Sequence, residues 1–104
     1  MKQLYIYCAG GFGREVMDVA RRLNASAPRW DEIFFIDDVC KTTSVHGARV
    51  FKFDDGENRA SLERAEVVIA NGEPAARQAI RVRVENAGIQ LGTVVDPSTL
   101  VSET

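Results

Sequence analysis

Residues 3–16 read QLYIYCAGGFGREV, and this stretch limits the fold more than any other. The apolar run Leu4-Tyr5-Ile6-Tyr7 has the look of a buried strand. It breaks into three glycines, Gly10, Gly11 and Gly13, and a helical pattern starts at Arg14-Glu15-Val16-Met17. A strand that turns on glycine into a helix start leaves unpaired backbone N–H groups pointing out of the turn. The positive end of the helix macrodipole lies behind them, so the turn suits an anion. Glycine there lets a phosphate come close to the backbone. The first inference is a phosphate-bearing ligand, a nucleotide or nucleotide-sugar. The G-x-G-x-x-G dinucleotide fingerprint would put glycine at positions 8, 10 and 13, but position 8 is Cys8.

The rest of the chain alternates strand and helix signals. Val16, Met17, Ala20 and Leu23 share one helical face. Asn24–Arg29 reads as a polar loop broken at Pro28. A second apolar run, Glu32–Ile36, ends in Asp37-Asp38, and Ala48–Phe51 reads as a short third strand. Asp54-Asp55-Gly56 marks a turn, and Asn58–Glu63 is a short helix candidate. Glu66–Ala70 is a β-branched central strand, followed by Asn71-Gly72-Glu73-Pro74. Pro74 suits the first position of a helix that runs to about Asn86 and stops at Gly88. Ile89–Val95 reads as the last strand. Continuous apolar strands joined by helices predict an α/β, Rossmann-like, doubly wound parallel sheet of about five strands, order 3-2-1-4-5. Chain direction then reverses between the first strand and the one at Glu66. Ligands bind at such a switch point, beyond the carboxyl ends of the strands. Gly10–Gly13 and Asn71-Gly72 would line that crevice.

A chain of 104 residues holds one core. Its 13 Lys+Arg against 15 Asp+Glu form no basic stripe of the kind nucleic-acid binders carry. No apolar stretch approaches membrane-spanning length, and no signal-peptide pattern opens the chain. Nucleic acid and membrane are therefore not expected partners. Cys8 and Cys40 alone make no disulfide framework, so reduced thiols in the cytoplasm are the expectation.

The stretch YIYCAGGFGREVMDVAR resembles the opening of a bacterial sugar-acyltransferase family. The family includes sialic acid O-acetyltransferases and the acetyltransferases of pilin and protein glycosylation. FIDD at Phe35–Asp38, VVIANGEPAARQAI at Val67–Ile80 and VVDPSTLVS at Val94–Ser102 fit the same pattern in the same order. The resemblance implies a Rossmann-like N-terminal domain, residues 1–96, that binds a nucleotide-activated amino sugar of the UDP type. Residues 97–104 would begin the connection to a left-handed β-helix of hexapeptide repeats. In the family, that β-helix binds acetyl-coenzyme A, trimerises and carries the catalytic histidine. It is expected to be absent from this chain, which would then be the substrate-binding part of an acetyltransferase. Such a part would carry no catalytic residue, bind no cofactor of its own and be a monomer or weak dimer. Carried over position by position, Gly10, Gly11, Phe12, Gly13 and Arg14 match the family's glycine turn. Asp37 and Asp38 match its acidic pair, and Asn71, Gly72 and Pro74 match the turn where base or ribose is expected. Cys8 stands where the family usually has glycine.

Each of these positions also has a plainer reading. The glycines alone could make a tight connection, and Arg14 could be a solvated helix residue. Asp37 or Asp38 would meet ribose hydroxyls, as the acid about 20 residues beyond the glycines does in NAD proteins, or belong to an acidic loop. Asn71 would read a base edge or cap the helix at Pro74. Cys8 would be a lowered-pKa thiol or a small buried strand residue. His46 has no partner spacing that suggests catalysis, and Cys8, Cys40 and His46 form no metal set. Two rival functions remain: a fragment of an NAD(P)-dependent oxidoreductase, and a non-catalytic regulatory module with the same fold.

Overall fold

The computed structural model describes residues 2–54, 65–91, 93–96 and 99–102. Strand β1 (Lys2–Tyr7) leads into helix α1 (Gly11–Ser26), then β2 (Trp30–Ile36), β3 (Ser44–Val45), β4 (Ala48–Phe51) and β5 (Glu66–Ile69). Helix α2 (Pro74–Asn86) and strands β6 (Gln90–Leu91), β7 (Thr93–Asp96) and β8 (Thr99–Ser102) complete the order. The six-stranded sheet runs β3-β4-β2-β1-β5-β6. Every pairing is parallel except β3 with β4. The expected five-strand order therefore stands, with β3 added as an antiparallel edge. β3 spans two residues, too short to leave a sequence signal.

β1 is the centre of the sheet because side chains on both its faces are buried. Leu4 and Ile6 pack with Val16, Met17 and Ala20 of α1 and with Phe35 and Val68. Tyr5 and Tyr7 face the other way, toward Val84 of α2 and toward Ile36, Phe53 and Val67. Alternate residues of a strand point to opposite faces, so a continuous apolar run serves two cores at once.

The structure corrects three boundaries. α1 begins at Gly11 and runs to Ser26, so Asn24 to Ser26 are helical rather than loop. Tertiary bonds hold this last turn: Asn24 Oδ1 accepts from the backbone N of Arg29 and of Trp30, and Asn24 Nδ2 donates to Trp30 O. β2 starts earlier than expected, at Trp30. The buried Trp30 indole donates to Glu66 Oε1, and this anchors the strand's first residue. The expected final strand over Ile89–Val95 is divided: β6 pairs with β5, and β7 pairs antiparallel with β8 in a separate ribbon. α2 has the expected bounds and turns off at Gly88, whose φ is +73°. Asp55-Gly56 of the expected turn, the helix expected over Asn58–Glu63, and Pro97-Ser98 lie outside the described residues. Among the described residues, no helix is long and apolar enough to cross a membrane.

Candidate functional site

The strand order places the carboxyl ends of β1 and β5 side by side, with their following helices on opposite faces. Cys8 N donates to Ile36 O and Ala70 N to Tyr7 O, so pairing continues to the lip of this crevice. α1 rises from it without a side-chain cap, because its N-cap residue is Gly10. The first helical bond at this end is Arg14 N to Gly10 O. The backbone N–H groups of Gly10, Gly11, Phe12 and Gly13 have no acceptor among the described residues. Helix starts leave such donors to a cap, to water or to a ligand.

The three glycines of the turn do different work. A Cβ on Gly13 would lie 2.0 Å from Cys8 O, so this glycine lets α1 sit directly against the end of β1. Gly10 and Gly11 are exposed, and a Cβ on either would meet nothing within 4 Å. Gly10 has φ −76°, ordinary extended backbone. Packing within the chain therefore requires glycine at 13 and leaves open space above 10 and 11. The Phe12 ring is more than a third exposed at this turn, and Arg14 is exposed beside it.

The acidic pair after β2 is held by the protein's own donors. Asp37 Oδ2 accepts from Ala9 N at 2.9 Å, and Oδ1 accepts from the backbone N of Val39 and of Cys40, each at 2.9 Å. Burial pushes its carboxyl upward, but these bonds and the Lys52 charge outweigh it and hold the group below the ordinary carboxylate range. Asp38 Oδ2 accepts from Tyr7 Oη at 2.6 Å and from Arg83 Nη1 at 2.8 Å, while Oδ1 accepts from Phe53 N. Burial again acts upward and is outweighed, here by Tyr7, Phe53 and Arg83. Of the two readings for these acids, the observed geometry is that of a structural loop. Asp37 ties the glycine turn to the loop after β2, and Asp38 ties that loop to β1 and α2. Lys52 Nζ completes the lock by donating to the carbonyls of Asp37, Asp38 and Cys40.

Across the crevice, Asn71 Oδ1 accepts from Glu73 N at 2.9 Å and its Nδ2 donates to Cys8 Sγ at 3.6 Å. The expected cap at Pro74 takes another form. Glu73 is the N-cap residue of α2, without a side-chain bond to the helix, and Asn71 serves Glu73 from outside. Gly72 is exposed next to it, with open space where a Cβ would be. The Cys8 thiol is half-buried, and burial pushes it upward against the lowering effect of Asn71. It is a neutral strand-end residue and not an activated thiol. His46 lies elsewhere, its Nε2 2.7 Å from Asp18 Oδ1. Among the described residues, no three His, Cys, Asp or Glu side chains gather as a metal site.

The model of the PglD N-terminal domain matches residues 3–84. The chain belongs to this family. It is the N-terminal domain of PglD-type acetyltransferases, and the glycine turn, FIDD and the Asn71-Gly72 turn all fall inside the matched residues. No curated protein matches the chain. For this PglD-type domain the structure adds residues that sequence reasoning missed, namely Tyr7, Lys52 and Arg83. Arg83 alone had a trace in the sequence. It sits three residues after Ile80 and next to Val84, at the edge of the apolar stripe of α2. Here it bonds to Asp38 and Asp54 and stacks over Phe53.

Proposed function

We propose that this chain is the nucleotide-sugar-binding domain of a bacterial sugar acetyltransferase. Its ligand is a UDP-amino sugar, acetylated at an amine or hydroxyl with acetyl-coenzyme A as co-substrate. The observation that carries this reading is the run of four amides, Gly10 to Gly13, without acceptors among the described residues at the start of α1. Open space lies over Gly10 and Gly11 at a topological switch point, the arrangement that receives a diphosphate. In this reading the diphosphate lies over Gly10, Gly11 and Phe12, and Arg14 adds a charge to it. Asn71 and Gly72 meet the nucleoside, and Asp37 and Asp38 form the wall that fixes the turn.

The domain binds and positions, and the acyl donor is held elsewhere in the full enzyme. Transfer requires donor and acceptor side by side, so the domain alone is not catalytic. Trimerisation belongs to the donor-binding β-helix, and this part alone is a monomer or weak dimer. The setting is bacterial glycan assembly in the cytoplasm, without nucleic acid or membrane as partner. Asp37 weighs against the NAD-dependent rival. A dinucleotide enzyme turns its acid to the ribose, whereas this carboxylate gives three of its about four acceptor sites to backbone N–H groups.

Calorimetric titration with UDP-N-acetylglucosamine tests the proposal. Binding with a roughly micromolar or weaker constant is expected, since a lone domain lacks any neighbouring subunit surface. No heat with the UDP-sugar, together with a rise in melting temperature with NAD, would replace it by the oxidoreductase reading.

A further inference from the structure

Among the described residues other than glycine, two have positive φ, His46 at +52° and Cys8. For Cys8 the φ is +93°, in the region that glycine tolerates and other residues rarely adopt. The fold imposes that conformation. Cys8 N is committed to Ile36 O, Ala9 N to Asp37, and Cys8 O lies directly under Gly13. Glycine would relax the strain at once. Backbone strain of this kind collects at functional sites, and an observed outlier is the proper start for a functional hypothesis.

The strained position holds the thiol against Asn71. Glu73 N is a donor, so the Asn71 side-chain atom facing it at 2.9 Å must be the oxygen. Nδ2 therefore faces Cys8 Sγ, which accepts one of its hydrogens at 3.6 Å. With both ends engaged, the amide cannot flip, and the second Nδ2 hydrogen has no acceptor among the described residues.

We propose that Cys8 is a positioning residue, which locks the Asn71 amide so that it offers an N–H donor to an acceptor oxygen of the bound nucleoside. This rests on the nucleotide-sugar reading above and refines it. The group that docks beside Asn71 is a carbonyl or hydroxyl oxygen, not an amino group. Cys8 does not plug the glycine turn, because its thiol is engaged on the β5 side of the crevice.

The test is titration calorimetry with UDP-N-acetylglucosamine, alongside thermal melts, on the wild type, Cys8→Gly, Cys8→Ser, Asn71→Ala and the Cys8→Gly/Asn71→Ala double variant. Cys8→Gly should melt higher than wild type yet bind at least threefold more weakly. Cys8→Ser should recover most of the lost affinity, because a hydroxyl oxygen also accepts from Nδ2. In the Asn71→Ala background, adding Cys8→Gly should change affinity less than twofold. Wild-type binding with undiminished affinity in Cys8→Gly overturns the positioning role and leaves the nucleotide-sugar reading intact. No binding by the wild type overturns both.

Discussion

The glycine turn separates packing from ligand approach, and alanine substitutions read the two apart. At Gly13 the added Cβ would sit 2.0 Å from Cys8 O and 3.0 Å from Cys8 C. Both are backbone atoms, so no rotamer change relieves the clash. Ordinary contact begins at 3.4 Å, so α1 must move off the end of β1 by more than an ångström. That movement disturbs the packing of Val16 and Met17, both fully buried. Overpacking of this kind costs about 3 kcal/mol or more, which for a domain this size lowers the melting temperature by roughly 10 °C or more. Gly11→Ala is the opposite case. Its Cβ meets nothing, and alanine is worth about 0.5–1 kcal/mol over glycine within a helix, so stability should hold or rise. Its affinity for the UDP-amino sugar should nevertheless fall at least tenfold, because the Cβ enters the space through which a phosphate reaches the amides. Thermal melts and titration calorimetry on the two variants decide the matter. Gly13→Ala melting like the wild type would refute the packing argument. Gly11→Ala binding like the wild type would refute the ligand argument.

The acidic loop yields three more predictions. Asp37→Ala deprives Ala9, Val39 and Cys40 of their acceptor, and chemical denaturation should show a loss of about 2–3 kcal/mol, since water reaches part of the site. Tyr7→Phe removes the donor to Asp38 from a side chain that is otherwise buried, and the same assay should show a loss of about 1 kcal/mol. The carboxyls of Asp37 and Asp38 are both lowered by folding, so the unfolded chain binds protons first as pH falls. Their contribution is present above the unfolded value of about 3.9 and is lost as pH drops through the lower folded values. Melting temperature should therefore fall steeply below about pH 4, and less steeply in Asp38→Asn.

How far the sequence carried depended on whether a feature is local. β1, β5 and α2 were legible because their signals lie within a few residues: an unbroken apolar run, a β-branched run, and Pro74 with Gly88 at the two ends of α2. The end of α1 was not legible, because Asn24 is held helical by bonds to Arg29 and Trp30 across a turn. The start of β2 likewise depends on Trp30 finding Glu66, far along the chain. At the site, the glycine turn was visible as composition, but which glycine serves packing became clear only from the position of Cys8 O. The roles of Asp37 and Asp38 depend on Ala9, Tyr7 and Arg83, partners that no spacing rule brings together. The positive φ of Cys8 was foreshadowed only by its place in the fingerprint, where glycine is the rule.

The central claim concerns the amides of Gly10 to Gly13, and their own resonances report on it. In a 15N-labelled sample titrated with UDP-N-acetylglucosamine, the largest amide shifts should fall on Gly10, Gly11, Phe12 and Gly13, with a second group at Asn71 and Gly72. Saturable binding that leaves the four turn amides in place while shifting residues elsewhere would contradict the account.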